Sequence, residues 1–180
     1  MRWPWGCDSW ATFWLGSAYY GLGEYDQAAK CFTEMLNTML NAFGGDVLPY
    51  CNYALGLAQA KGGNLEAATA NFQACLPAMI QTLRIPSGGK MFEYADNPKI
   101  RCGQHKPSDL EMVVKMVNRL RLITGQSFGY DPALTNEQNE AAIAAWEQWF
   151  QTDGQIRFTP DVELLPVPVS SDGEPIDANN

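Results

Sequence analysis

Apolar residues recur at helical spacing over most of this chain, and glycines mark where each run stops. Ser9 caps a first predicted helix that runs to about Gly21, and Gly23-Glu24 makes the turn. A second helix follows from Tyr25 or Asp26 to about Ala42. Asp46 caps a third over residues 47–60, Gly62-Gly63 ends it, and a fourth begins at Leu65. Pro77 falls inside the fourth helix, where it removes a backbone donor and crowds the preceding turn. A kink or restart is expected there, with helix resuming to Leu83 or Arg84.

Residues 85–107 hold Pro86, Gly88, Gly89, Pro98, Gly103 and Pro107, a long irregular connection of the kind that is either functional or mobile. Ser108-Asp109-Leu110-Glu111 then has capping-box form. Leu110, Val113, Val114, Val117, Leu120 and Ile123 follow on one helical face, and that helix ends near Gly125. Thr135-Asn136-Glu137-Gln138 caps a last helix running to Asp153, with Ala142, Ala145, Trp146 and Trp149 on its apolar face and Gly154 as its stop. The segment past Pro160 is acidic, rich in proline and without period, so it is expected to be disordered or laid on a surface.

The first four helices contain an internal repeat. Leu15-Gly16 matches Leu55-Gly56, Gly23 matches Gly63, Ala28 matches Ala68 and Phe32 matches Phe72, always 40 residues apart. Gly16 and Gly56 let a second helix approach, because a Cβ there would hold the backbones apart. Ala28/Phe32 and Ala68/Phe72 are four apart, hence on one face of the second helix of each pair. A fixed period of this kind marks stacked helical hairpins.

These positions resemble the tetratricopeptide repeat. The first copy carries Leu15, Gly16, Tyr19, Gly23, Tyr25, Ala28 and Phe32. The second keeps Leu55, Gly56, Gly63, Ala68 and Phe72, with Gln59 and Leu65 in place of aromatics. The usual period is about 34 residues, so roughly six extra residues lengthen the first hairpin or its connection near Asn41-Ala42-Phe43-Gly44-Gly45. The resemblance spans residues 9–80 and implies an all-α superhelix of paired helices. Ile123 to Pro132, with Trp146 and Trp149-Phe150, resembles an element found beside HEAT-type repeats in bacterial proteins. That implies a cap on the array. The expected organisation is two hairpins over residues 1–84, an irregular loop over 85–107, two capping helices over 108–154 and an acidic tail over 155–180.

What the resemblance implies about function is binding rather than catalysis. Trp10, Phe13, Trp14 and Tyr20 of the first repeat, and Tyr50, Tyr53 and Leu57 of the second, fall where such repeats line a concave groove. They are the candidate partner-binding residues, for a hydrophobic or proline-containing peptide. The competing reading is that another helical unit packs over them. Ser17 and Leu57 stand where chaperone-binding members carry groups that grip a carboxylate, so that ligand class is disfavoured. The tail segment Leu164-Leu165-Pro166-Val167-Pro168-Val169 favours polyproline II and is a candidate occupant of the groove, in cis or from another copy. A non-catalytic adaptor or assembly subunit is the leading expectation, and an accessory subunit of an enzyme whose catalytic part is on another chain is the alternative.

Composition adds bounds. At 180 residues and 46% hydrophobic, the chain can bury one sizeable core. No run of 18 apolar residues exists, and the start lacks the form of a secretion signal. Five cysteines without a Cys-x-x-Cys pair fit thiols in a reducing compartment, so a cytoplasmic location is expected. Net charge is −8, but unevenly spread: −3 over residues 1–83, +4 over 84–121 and −9 over 122–180. The middle and the end can attract one another, or the acidic end can be a solvated tail.

No candidate chemistry is complete. Cys102 and His105 form one metal-type pair, whereas zinc needs two, and nothing orients them for nucleophilic catalysis. Pro86-Ser87-Gly88-Gly89-Lys90 lacks the spacing of a phosphate loop. Lys99, Arg101, Lys106, Lys115, Arg119 and Arg121 form a basic cluster without a nucleic-acid reading motif in an acidic chain. Glu137, Glu140 and Glu147 read as a solvated helix face. Neither a cofactor, a metal, a nucleic acid nor a membrane is expected as a partner.

Overall fold

The computed structural model describes residues 7–43, 48–84, 109–131, 134–161 and 165. The 85–107 loop, the Asp46 and Ser108 caps, most of the tail and the side chain of Trp10 lie outside the described residues. Among the described residues the chain is all-helical, with six helices and no strand. They are α1 (Cys7–Gly21), α2 (Tyr25–Phe43), α3 (Leu48–Lys61), α4 (Leu65–Thr82), α5 (Asp109–Thr124) and α6 (Glu140–Thr152). None is long and apolar enough to cross a membrane.

The described residues divide into two compact units, and the division falls inside α4, between Cys75 and Leu76. The sequence places that boundary after residue 84. Arg84 belongs to the second unit, where its guanidinium and carbonyl are both engaged.

In the first unit the repeat is geometric as well as alphabetic. Gly23 and Gly63 have φ of 80° and 86°, a left-handed conformation that a Cβ disfavours. At the end of α1, the Gly23 N–H donates to the Tyr20 carbonyl at 3.0 Å and the Glu24 N–H to Tyr19 at 2.9 Å. At the end of α3, Gly63 donates to Ala60 at 3.2 Å and Asn64 to Gln59 at 2.8 Å. Both pairs are the crossed bonds of a glycine-terminated helix, which satisfy the last carbonyls. Both of these bonds in the first turn have their counterparts 40 residues on. The Asn71 amide of α4 also donates to Gln59 of α3 at 2.8 Å.

The glycines inside the helices are equally matched. A Cβ on Gly16 would lie 2.8 Å from the ring of Phe32, and one on Gly56 would lie 2.7 Å from that of Phe72. Each aromatic ring therefore occupies the space that its glycine leaves, and both rings are buried. Pro77 does not break α4, which runs unbroken from Leu65 to Thr82 with the proline on its exposed side. No restart occurs.

The second unit holds the end of α4, α5 and α6. Val113, Val114, Val117, Leu120 and Ile123 of α5 are buried, as the spacing predicts, and so are Met112 and Met116, which that pattern does not include. Thr135 and Gln138 make the reciprocal cap, with the Thr135 N–H donating to Gln138 Oε1 at 3.0 Å and the Gln138 N–H to Thr135 Oγ1 at 3.4 Å. They cap a turn, and α6 itself starts only at Glu140. The buried Asn139 sits at that junction. Its amide donates to the carbonyl of Asp131 at 2.8 Å and accepts the Asp131 N–H at 3.0 Å, with further bonds to the Leu134 and Thr135 carbonyls.

Two of the glutamates on the expected solvated face are, while still exposed, also ion-paired. Arg84 reaches Glu140 at 2.7 and 3.0 Å and Glu147 at 2.8 and 3.0 Å, a two-forked arrangement. Its carbonyl accepts from the Asn136 amide at 3.3 Å. Hydrogen bonds from Arg84 hold both carboxyls below the usual glutamate range. A depressed folded-state value means that this stabilisation is present at neutral pH and is lost as pH falls through the folded values. Because all three groups are substantially exposed, Arg84→Met is expected to lower Tm by only about 1–3 °C at pH 7. Thermal melts should show that difference shrinking towards zero below the acid transition.

Candidate functional site

The seven residues proposed to line a groove do not share one fate. Phe13, Tyr50, Tyr53 and Leu57 are buried. Phe13 is in ring contact with Phe32 at 5.5 Å, Trp14 at 5.6 Å and Tyr50 at 5.9 Å, while Tyr53 meets Phe72 at 6.3 Å. These four are core side chains as placed, so they form no open groove. The reason is that rings of this size sit where α1 and α3 meet the phenylalanines of α2 and α4. Burial pushes the Tyr50 phenol up, as it does the thiols of Cys31 and Cys75, and it raises Cys51 to about 11. Protonated thiols of this kind are poor nucleophiles.

Trp14 and Tyr20 remain half-buried on α1, and Tyr20 stacks edge-on with Tyr25 at 5.5 Å. Trp10 belongs to α1, with its side chain outside the described residues. Leu165, the one described residue of the tail segment proposed to fill the groove, is held by Asn118 on α5.

A different surface emerges when the two repeats are compared. On α3, Cys51, Leu55, Ala58 and Gly62 lie at i, i+4, i+7 and i+11, one helical stripe. Gly62 faces α2, since a Cβ there would come 3.5 Å from Tyr25 Cβ. Ala58 and Gly62 line a cleft of about 260 Å³ together with Tyr25, Asp26, Ala29, Lys30, Gln59 and Asn64. Cys51 and Ala58 are fully buried, and Leu55 is 4% exposed.

The same stripe on α1 is Ala11, Leu15, Ala18 and Leu22. There Leu15 is 50% exposed, Leu22 is 74% exposed, and both alanines face solvent. Trp14, adjacent to the stripe, is half-buried where its counterpart Ala54 is buried. So α1 displays uncovered the apolar face that α3 covers against α2. The sequence carried a sign of this that the groove reading passed over. No charged residue occurs from Ser9 to Gly23, so α1 beyond its first turn has no charged side to turn to water.

A second cleft of about 350 Å³ lies at Gly23, Glu24, Tyr25, Asp26, Gln27 and Gly62. It joins two acidic groups to backbone, without a nucleophile and base in reach of each other. Among the described residues no group of three or more histidine, cysteine, aspartate or glutamate side chains is placed to hold a metal. Comparison with known families, with curated proteins and with solved structures gives no match to this chain.

Proposed function

We propose that this chain is a tetratricopeptide-like helical-repeat protein that works as a non-catalytic protein-interaction module. The partner docks a helix on the Ala11, Leu15, Ala18 and Leu22 face of α1. One observation carries the reading: Ala11, Leu15 and Ala18 are exposed on α1, whereas their equivalents Cys51, Leu55 and Ala58 are buried on α3. Monomeric proteins rarely leave a contiguous apolar stripe uncovered without a use for it. The repeat also specifies what fits. The face opposite α3 is the start of α2, where Tyr25 and Ala29 stand one turn apart. A partner helix with an aromatic followed four residues later by a small residue reproduces that contact.

The test is quantitative capture from a native extract with the full chain, wild type against Leu15→Asp and Ala18→Asp. Both changes are at exposed positions, so each should leave Tm within about 1–2 °C. The same partner should be retained by the wild type and reduced at least about tenfold by either variant. Equal recovery on wild type and variants would remove this face from consideration. An enzyme activity in the recovered complex would identify the chain as an accessory subunit.

A further inference from the structure

The second unit carries a separate site. Asn118, half-buried on α5, donates from Nδ2 to the Leu165 carbonyl at 2.8 Å and accepts the Leu165 N–H on Oδ1 at 2.7 Å. One side-chain amide thus satisfies both main-chain groups of a single residue, as a neighbouring strand residue does in a hydrogen-bonded antiparallel pair. That geometry needs the N–H and C=O of the bound residue on one side, which is the extended conformation. Leu165 precedes Pro166, and a residue before proline is already biased to that conformation.

The same arrangement occurs within this unit in permanent form. Asn139 clamps Asp131, which precedes Pro132, across 8 positions. There the amide is buried and makes further bonds to Leu134 and Thr135. Asn118 differs in being half-exposed and in holding a residue 47 positions away. Arg121 lies one turn C-terminal to it on the half-exposed stripe of α5, and Lys115, one turn N-terminal, is ion-paired with Glu111. The segment that it holds is preceded by Asp161 and Glu163.

We propose that Asn118 is the reading group of a peptide-binding site whose ligand is an extended acidic–apolar segment of a partner protein, with the clamped apolar residue directly before a proline. The chain's own Leu165 occupies that site in cis and competes with the partner. This rests on Asn118 and Leu165 alone and is independent of the face on α1. Main-chain reading demands a free N–H at the clamped residue, so proline is excluded there. The apolar contact comes from a half-buried side chain, and the Arg121 flank favours acidic residues near it.

The experiment uses the full chain and a fluorescein-labelled peptide of residues 159–170 as probe, read by anisotropy. Leu165→Pro in the protein removes the cis N–H and should open the site, giving binding about tenfold or more tighter than to the wild type, where the tethered tail competes. Adding Asn118→Asp, which keeps the acceptor and removes the donor, should abolish the gain. A probe with proline at the clamped position should fail on every protein, a control that leaves the fold untouched. Equal binding to wild type and Leu165→Pro overturns the proposal, as does binding that survives Asn118→Asp or the proline probe. A wild-type dimer by sedimentation that Leu165→Pro dissolves would assign the site to exchange between copies and overturn it as well.

Discussion

Gly56→Ala is expected to destabilise the chain by about 1–3 kcal/mol, although alanine is the better helix former by about 1 kcal/mol. The added Cβ would lie 2.7 Å from Cε1 and 2.8 Å from Cδ1 of Phe72. That ring is fully buried and cannot swing away without opening its own contact with Tyr53. Overpacking therefore outweighs propensity. In urea melts followed by far-UV circular dichroism, Gly56→Ala should lower the midpoint, and Gly56→Val should lower it further. Phe72→Leu is costly alone, but it makes room for the methyl group. The double variant should therefore fall short of the sum of its parts by about 1 kcal/mol. Gly16→Ala should behave alike, its Cβ meeting Phe32 at 2.8 Å. A Gly56→Ala protein as stable as the wild type would refute the close approach of α3 and α4.

Trp146→Ala is expected to cost about 3–5 kcal/mol, the largest single-residue effect in the second unit. The indole is fully buried, with Phe128 edge-on at 4.8 Å and Trp149 edge-on at 6.0 Å. Phe128 is held at φ 46°, a conformation that side chains other than glycine rarely adopt. Its ring contacts with Trp146 and Trp149 fix it there, so truncation of Trp146 also releases that constraint. Trp146→Phe should cost far less. The Trp146 Nε1–H has no hydrogen-bond partner among the described residues, and removing an unpaired buried donor offsets part of the lost volume. Near-UV circular dichroism should show the aromatic signal collapsing in Trp146→Ala and persisting in Trp146→Phe. Equal losses in both variants would mean that the cluster is not packed as described.

Elements set by local chemistry were legible in advance. Five helix starts and stops lie close to their expected places, because Gly23, Gly63 and Gly125 supply positive φ where helices end. That a second helix approaches at Gly16 and Gly56 also followed from the period, and the structure shows Phe32 and Phe72 as the rings that fill the space. Two readings of single elements were refined. Of the kink or restart expected at Pro77, no restart occurs, and α4 continues past the proline on its exposed side. The start of α6 was placed early because the Thr135–Gln138 cap closes a turn that is not yet α-helix.

The candidate site was less legible. Helical periodicity marks which positions are apolar without saying which apolar face is covered. Phe13, Tyr50, Tyr53 and Leu57 looked available on their own helices and are buried once α2 and α4 pack against them. Leu15 and Leu22, on the neighbouring face of α1, are exposed. Long-range polar contacts were invisible for a related reason. Arg84 with Glu140 and Glu147, and Asn118 with Leu165, join residues between 47 and 63 positions apart that carry no shared motif.

The 40-residue period by itself determined that this protein is built of glycine-terminated helix pairs, because φ > 0 and the absence of a Cβ are properties of a residue wherever it stands. Only the tertiary structure decided which faces meet. Burial is a relation between two surfaces, and the matching stripe is buried at Cys51, Leu55 and Ala58 of α3 and open on α1 according to whether a second helix lies across it.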